Sequence, residues 1–385
     1  MPTTPDKRSG AIVVTTINGG QFLQEYFDNL KRFGHLDQCH FYVIADRKTP
    51  AALFDKAKEL EKQGLRITIP SLEEQDQYLA KVGFDPHLVL WNSDHRRNIG
   101  YLMAYASGAD AVISIDDDNY PIPEIDFFGE HVAGLFEEKT KAQIESPTRF
   151  YNICSLMKFD IEAPPPYPRG FPYYGRHKAE QVTTANASSP VHLNAGLWLM
   201  DPDVDAISWL VLPRRGQSMT GESVVLGKET WSPINSQNTA MRREAVAAYY
   251  FIKMRYPLGG IDIDRYGDIF QGYFVQACSK HLGGLVRVGT PLALHRRNAH
   301  NYMNDAWGEW ACIQALEDLL PWLTTEAKLD GKNYIEAYES LSYQIEDKVE
   351  KITGKFWNDA VKAYFHQMGF YMRKWTKVCS SLHGQ

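Results

Sequence analysis

The segment Ala111-Val-Ile-Ser-Ile-Asp-Asp-Asp-Asn119 joins a short apolar run to three consecutive aspartates. The run is compact and β-branched, which predicts a buried strand over residues 111–115. Carboxylates at the end of a buried strand repel one another, and desolvation strengthens that repulsion. A fold retains such a cluster most readily when a cation neutralises it, and an acidic, solvated turn is the alternative. The segment therefore predicts a cation site at the end of a strand.

Similar apolar runs recur along the chain, and segments with helical spacing of apolar residues separate them. This alternation predicts an α/β fold with a mainly parallel sheet, in which ligands bind beyond the carboxyl ends of the strands. A segment rich in proline and aromatic residues, 163–174, is predicted to be a loop over the site. The other predicted strands cover residues 11–17, 41–45, 66–70, 191–200 and 285–294, and predicted helices cover 22–30 and 96–107.

From residue 305 onward the pattern is helical. We predict an α/β domain over residues 1–304 and a helical C-terminal extension over residues 305–385. The last helix is aromatic and basic, and we expect it to pack on its own chain or on a sister subunit in a homo-oligomer. Binding to an anionic membrane surface is the alternative. Two apolar stripes lie in the extension: Trp307, Trp310, Ile313, Leu316 and Leu320, and then Trp357, Val361, Tyr364, Met368, Met372 and Trp375.

Composition excludes several classes of protein. The 385 residues are 44% hydrophobic and carry a formal net charge of -6 without a basic stripe, which argues against a nucleic-acid partner. Five scattered cysteines form no CxxC pair, which indicates free thiols in a reducing compartment. The sequence shows neither a secretory signal nor an apolar run long enough to cross a bilayer. We therefore expect a cytoplasmic protein.

The three aspartates supply oxygen ligands, which suit Mg²⁺ or Mn²⁺. Because these ions keep positions open for phosphate oxygens, a nucleoside diphosphate is the expected ligand. Asp118 is expected to bind the cation directly. Asp116 is expected to contact the ribose, or to contact the metal's ligands without binding the metal itself. Asp117 is expected to have an intermediate role and to bind the nucleotide.

The nucleotide is expected to lie over the first two strands, where polar side chains follow each strand. A cation and an amide at the start of the helix at 96–107 are expected to meet the diphosphate or the base. Ordinary helix capping and surface charge are the alternative for these residues. The candidates are Thr15, Thr16, Asn18, Asp46, Arg97 and Asn98.

Six segments, in this order, resemble motifs of the reversibly glycosylated polypeptide family, which includes the plant UDP-arabinopyranose mutases. They are Ile115-Asp-Asp-Asp118, Arg169-Gly-Phe-Pro-Tyr-Tyr-Gly-Arg176, His192-Leu-Asn-Ala-Gly-Leu-Trp-Leu199, Pro233-Ile-Asn-Ser-Gln-Asn-Thr-Ala-Met-Arg-Arg-Glu244, Arg265-Tyr-Gly-Asp-Ile-Phe270 and Gly289-Thr-Pro-Leu-Ala-Leu-His295. The resemblance implies a GT-A fold, a Rossmann-like nucleotide-sugar domain in which a DxD-type motif holds metal and diphosphate. It also implies that His295 is a further metal ligand, beside Asp116 and Asp118. A polar residue that caps a strand is the alternative for His295.

Two further residues gain roles from the resemblance. Arg176 matches the arginine that carries the transient sugar in the family, but a guanidinium ordinarily clamps phosphate or carboxylate, so we favour a substrate clamp. Asp268 is the candidate general base, or the carboxylate that binds a sugar hydroxyl. Its alternative is a salt bridge to Arg265 or a helix cap. The chain departs from the family at Gly267, where the family has an acidic residue, and around Arg176.

The sequence therefore predicts a metal-dependent glycosyltransferase that uses a nucleoside-diphosphate sugar and an acceptor that the sequence does not identify. The first alternative is a nucleotide-sugar mutase, which interconverts ring forms without an external acceptor. The second is a non-catalytic scaffold with the same fold. The retained acidic cluster argues against the scaffold, because a protein that binds no nucleotide has no use for it.

Overall fold

The computed structural model describes residues 7–137, 142–178, 182–187 and 189–383. Helices and strands alternate through the first half, and three long helices close the chain. The strands are β1 (Gly10–Thr16), β2 (Cys39–Ala45), β3 (Arg66–Thr68), β4 (Ala111–Ile115), β5 (Asn119–Pro121), β6 (Ala142–Glu145), β7 (Met157–Phe159), β8 (Thr183–Asn186), β9 (Val191–Met200), β10 (Gly216–Met219), β11 (Val224–Leu226), β12 (Asn238–Arg242), β13 (Tyr256–Pro257), β14 (Asp262–Ile263) and β15 (Leu285–His295). The α-helices are α1 (Gln21–Phe33), α2 (Ala52–Glu61), α3 (Leu72–Val82), α4 (Arg97–Ala106), α5 (Phe127–Phe136), α6 (Ala206–Val211), α7 (Gly267–His281), α8 (Tyr302–Thr325), α9 (Tyr334–Lys351) and α10 (Asp359–His383).

Most strands join one large sheet, in the order β3-β2-β1-β4-β12-β9-β15-β11-β6-β8. The first four strands are parallel. Strand β12 then runs antiparallel to both β4 and β9, and β11 runs antiparallel to β15. The predicted α/β fold is confirmed, and the acidic triplet after β4 in this strand order is the arrangement expected of the GT-A type. The expectation of a mainly parallel sheet holds throughout the β3–β4 half, whereas the other half is mixed, with parallel β9–β15 and β11–β6 pairs among antiparallel ones.

Close packing fixes helix α4 against the sheet. Gly100 lies so near β1 that a Cβ atom there would stand 2.5 Å from Cγ1 of Val13. Since any larger residue would push the helix away, glycine lets α4 lie directly on the strand. The helix starts at Arg97, so this contact places the Arg97 side chain at the end of β1 and β4.

The C-terminal helices share a hydrophobic core with the α/β part. Trp375 in α10 is fully buried, and its Nε1 donates a hydrogen bond to the carbonyl of Val246 at 3.2 Å. The later aromatic stripe therefore packs on its own chain, as favoured. The earlier stripe lies on α8, where its first two members, Trp307 and Trp310, are 62% and 47% exposed. The boundary between residues 304 and 305 stays a prediction.

Among the described helices, none combines the length and apolar character needed to span a bilayer. The predicted homo-oligomer stays a prediction.

Candidate active site

A cleft of about 580 Å³ opens at the carboxyl ends of β1, β2 and β4 and reaches the end of β15. Its volume lies within the range of small-molecule sites. Most of the residues predicted from the sequence meet there. Those that line the cleft are Thr15, Thr16, Asn18, Asp46, Arg97, Asp116, Asp117, Asp118, Asp268 and His295.

Arg97 holds the first aspartate of the triplet. Its buried guanidinium donates to Asp116 Oδ1 at 2.5 Å, to Thr15 Oγ1 at 3.2 Å and to Ser236 Oγ at 2.5 Å. Burial raises the pKa of Asp116 and the charge of Asp118 adds to the shift, while Arg97 opposes it. Burial also disfavours the charge of Arg97, but Asp116 outweighs it and raises the Arg97 pKa. The pair is a charge-assisted contact in the cleft wall, with Arg97 buried and the Asp116 side chain 28% exposed.

Asp117 is held by the end of β1. Its Oδ2 accepts hydrogen bonds from Thr16 Oγ1 at 2.5 Å and from Asn18 Nδ2 at 2.9 Å. Burial raises the pKa of Asp117, and the Thr16 hydrogen bond opposes that shift. Thr16 and Asn18 therefore position the triplet, and direct contacts of these residues with a nucleotide stay a prediction.

Asp118 faces His295 across the cleft edge. Strand β5, which follows the triplet, pairs with the end of β15 and brings the two side chains together. Asp118 Oδ2 lies 3.5 Å from His295 Nε2. Burial favours the uncharged forms, but the contact outweighs it, lowering the pKa of Asp118 and raising that of His295.

His295 has the tautomer expected of a metal ligand. Its Nδ1 lies 2.6 Å from the carbonyl oxygen of Asp201. Because a carbonyl only accepts hydrogen bonds, Nδ1 carries the proton and donates the hydrogen bond. A ligating histidine commonly donates its second ring N–H to a carbonyl in this way, which orients the ring. Nε2 is left to face Asp118 and the cleft.

Asp118 and His295 fit a cation that arrives with phosphate. In the described part of the chain, no three His, Cys, Asp or Glu side chains gather into a group that could hold an ion alone. Mg²⁺ typically takes one or two protein carboxylates and completes its sphere with water and substrate phosphates. Asp116 was predicted as a further ligand. Because its Oδ1 is bonded to Arg97, direct ligation by Asp116 stays a prediction.

Asp46 lies at the end of β2, as expected for the nucleotide side, and is only 8% exposed. Its Oδ1 accepts from the backbone N–H of Arg47 at 2.6 Å. Thr49 Oγ1 donates to the Thr16 carbonyl and accepts from the Asp46 N–H, so the ends of β1 and β2 are tied together.

On the opposite wall, Arg169 binds two carboxylates. It donates to both oxygens of Asp268, at 3.1 and 2.6 Å, and to both oxygens of Asp203, at 2.9 and 3.1 Å. Asp268 was expected to pair with Arg265 if its role were structural, and the observed partner is Arg169 instead. Arg169 is fixed by this network, and its contacts favour a role in anchoring its loop rather than in binding a ligand.

Asn98 does not line the cleft as described. Its Nδ2 donates to the Phe251 carbonyl at 2.9 Å, and its Oδ1 accepts from the Phe251 N–H at 2.8 Å. The buried amide therefore holds Phe251, a cleft residue, in place. A direct contact between Asn98 and a nucleotide stays a prediction.

A family model described as reversibly glycosylated polypeptide matches residues 6–384. The chain belongs to this family. UDP-arabinopyranose mutase 1 of Arabidopsis thaliana is 29% identical over 219 residues, covering 56% of this chain and 55% of that protein. Probable UDP-arabinopyranose mutase 2 of Solanum tuberosum is 26% identical over 291 residues, covering 74% and 71%.

Two solved structures show a distant likeness to this member of the reversibly glycosylated polypeptide family. One is glucosyl-3-phosphoglycerate synthase from Mycobacterium tuberculosis with Mn²⁺ and UDP-glucose, 13% identical, with a TM-score of 0.40 and coverage of 80% and 79%. The other is S. aureus TarS 1-349, 12% identical, with a TM-score of 0.40 and coverage of 98% and 92%.

Arg176, at the position of the family's sugar-bearing arginine, is not among the residues that line the described cleft. Its Nη2 donates to the buried Asp205 at 2.5 Å, and its guanidinium lies 3.7 Å above the ring of Tyr173. Burial disfavours its charge, but Asp205 outweighs it and raises the Arg176 pKa. In this arrangement Arg176 braces a loop, and its action on a sugar stays a prediction.

Several cleft residues were missed by sequence reasoning. Ser236 receives the Arg97 bond, and Asp203 completes the Arg169 network. Arg297 lies two residues beyond His295. A sequence signal existed for all three. Ser236 falls inside one of the family motifs given above, and Arg297 follows another. Asp203 follows strand β9, at the kind of position where ligand sites were expected.

Proposed function

We propose that this protein is a divalent-metal-dependent enzyme that acts on a nucleoside-diphosphate sugar. The observation that carries the proposal is the pair Asp118 and His295 at the cleft edge, the second with Nδ1 fixed on a carbonyl. Membership of the reversibly glycosylated polypeptide family supports it, since relatives are named UDP-arabinopyranose mutase.

Asp118 and His295 would hold Mn²⁺ or Mg²⁺, with the remaining positions taken by diphosphate oxygens and water. The bound ion supplies Lewis-acid stabilisation of the charge on a departing diphosphate. Thr15, Asp46 and Asp117 would face the nucleotide. Asp268 would accept a hydrogen bond from a sugar hydroxyl, since each carboxylate oxygen can accept a bond beyond the one from Arg169.

The reaction that the relatives' names favour is ring interconversion of a UDP-sugar, without an external acceptor. A second candidate is transfer of the sugar to an acceptor. It is favoured by Arg176, which is bound to Asp205 and Tyr173 rather than presented to the cleft, and by Gly267 in place of the family's acidic residue. Both reactions begin with cleavage between the sugar and the diphosphate, so they share the same donor site.

Incubation with UDP-arabinopyranose and Mn²⁺, followed by chromatography and NMR of the sugar, tests the proposal. A ring-isomerised nucleotide-sugar supports the mutase, and slow release of UDP and free sugar supports a transferase that lacks its acceptor. Asp118→Asn should abolish either product. Asp347→Asn, which changes an exposed carboxylate on α9, is the matched control. If neither product forms and neither UDP nor the nucleotide-sugar binds, the enzymatic proposal is wrong.

A further inference from the structure

The arginines that line the cleft differ in the groups that their guanidinium N–H donors contact. Arg97 and Arg169 bind carboxylates, and Arg265 lies 3.0 Å from Asp305. Arg255 donates to the carbonyl of Asn92. Arg297 makes no ion pair with any residue that the structure describes, and its Nη1 is buried without a hydrogen-bond partner. Since a buried N–H without a partner is costly, this atom requires an explanation.

Aromatic rings hold the Arg297 guanidinium without using its donors. Its Cζ lies 5.7 Å from the Trp209 ring centre and 5.5 Å from that of Tyr302. These two rings stack on each other at 5.4 Å and 10°. Cation–π contact restrains the guanidinium but leaves its N–H groups free to bind a ligand. The pair Trp209 and Tyr302 is hereafter the aromatic platform.

One residue, Asp201, binds both Arg297 and His295. Asp201 accepts the His295 Nδ1–H through its carbonyl and the Arg297 backbone N–H through Oδ2, at 3.3 Å. A ligand anchored beside His295 would therefore meet Arg297 two residues further along. A planar guanidinium with free donors is the preferred protein group for phosphate.

We propose that Arg297 binds the terminal phosphate of the nucleoside diphosphate, held ready by the aromatic platform. This assignment rests on the proposed function and deepens it, because it assigns the two ends of the nucleoside diphosphate to different parts of the cleft. In this assignment the nucleoside and its first phosphate bind at the ends of β1, β2 and β4. The phosphate that carries the sugar binds to Arg297, beside the Asp118–His295 pair.

Calorimetric titration with UDP and with UMP, in Mn²⁺, tests the assignment. Arg297→Ala should weaken UDP binding by about 10- to 100-fold, the usual effect of losing a charge-assisted contact, and leave UMP binding within about 2-fold. Arg297→Lys should recover part of the UDP affinity. The control is Arg296→Ala, because Arg296 is the exposed neighbour that pairs with Glu25 and is absent from the cleft lining. It should bind both nucleotides as the unaltered protein does.

Retained UMP binding shows that each variant is folded. Equal UDP affinity in Arg297→Ala and the unaltered protein would overturn the assignment, and so would an equal loss of UMP and UDP affinity. If inorganic phosphate added to the UDP-saturated protein binds and this binding is lost in Arg297→Ala, Arg297 serves a second anion instead. If the unaltered protein binds no UDP at all, the proposed function fails, which is a distinct outcome.

Discussion

Asp116 lies 2.5 Å from Arg97, whereas Asp118, two residues later, lies 3.5 Å from His295. The two carboxylates therefore have different electrostatic partners. The charge of Asp116 is met by a buried guanidinium that also bonds to Ser236. The charge of Asp118 is met by an imidazole, which can itself be a neutral metal ligand. One end of the triplet is bound by the protein, and the other is where the proposed function places a cation.

The first prediction concerns stability. Asp116→Asn leaves the Arg97 charge buried without its partner, so the free energy of unfolding should fall by about 3–5 kcal/mol. Urea denaturation followed by fluorescence measures this loss. An unchanged midpoint and slope would show that Arg97 does not depend on Asp116.

The second prediction separates metal binding from folding. Asp118→Asn should change the free energy of unfolding by about 1 kcal/mol or less, because His295 can remain neutral and one of three repelling carboxylates is removed. The increase in melting temperature caused by UDP with Mn²⁺ should nevertheless disappear. UDP at a hundred times its dissociation constant stabilises a protein by about 2.7 kcal/mol, so the loss is measurable. An undiminished UDP effect would exclude Asp118 as the ligand.

The local parts of the fold could be predicted from sequence. Strand β4 occupies residues 111–115 as predicted, because a compact β-branched run specifies a buried strand without help from distant residues. Strand β12, with the sequence Asn-Thr-Ala-Met-Arg, has no such pattern. It is a strand because β4 and β9 pair with it on both sides, and a sequence window does not contain that pairing.

The candidate site was predictable where it follows the strands and not where it depends on distant partners. Asp117 and Asp118 line the cleft because they follow β4 directly. Arg169 meets Asp268 across 99 positions of sequence, and Asn98 bonds to Phe251 across 153. Trp307 lay in a correct helical stripe, but helical spacing does not say whether a neighbour covers that face.

The third prediction concerns pH. Glu309 is buried in α8, where its Oε2 accepts from the Ala206 N–H at 2.9 Å, and burial raises its pKa to about 7. The unfolded value is about 4.3, so between these two pH values the folded protein binds more protons and loses stability as pH rises. Above pH 7 this loss of stability is complete, at about 4 kcal/mol.

Glu309→Gln removes this titration. Relative to the unaltered protein, the variant should gain stability as pH rises from about 5 to about 7.5. Urea denaturation of both proteins across that range measures the difference between their free energies of unfolding. The titration of all other groups contributes equally to both proteins and so cancels in this difference. Glu339→Gln, at an exposed position on α9, is the matched control and should show no trend. A constant difference between Glu309→Gln and the unaltered protein would refute the shift.

The fourth prediction tests whether the C-terminal helices are part of one core. Trp375→Ala should lower the free energy of unfolding by about 3–5 kcal/mol, since it empties a fully buried site and removes the bond to Val246. Phe370→Ala, on the same helix but 45% exposed, should cost about 0.5 kcal/mol. Equal effects of the two changes would mean that α10 does not pack as described.

The position of the cation is tested most directly by an anomalous-difference map from crystals grown with Mn²⁺ and UDP. We predict one manganese peak between the Asp118 carboxylate and His295 Nε2, in contact with the diphosphate. A map in which UDP occupies the cleft while manganese lies away from both side chains, or does not bind, would contradict the account.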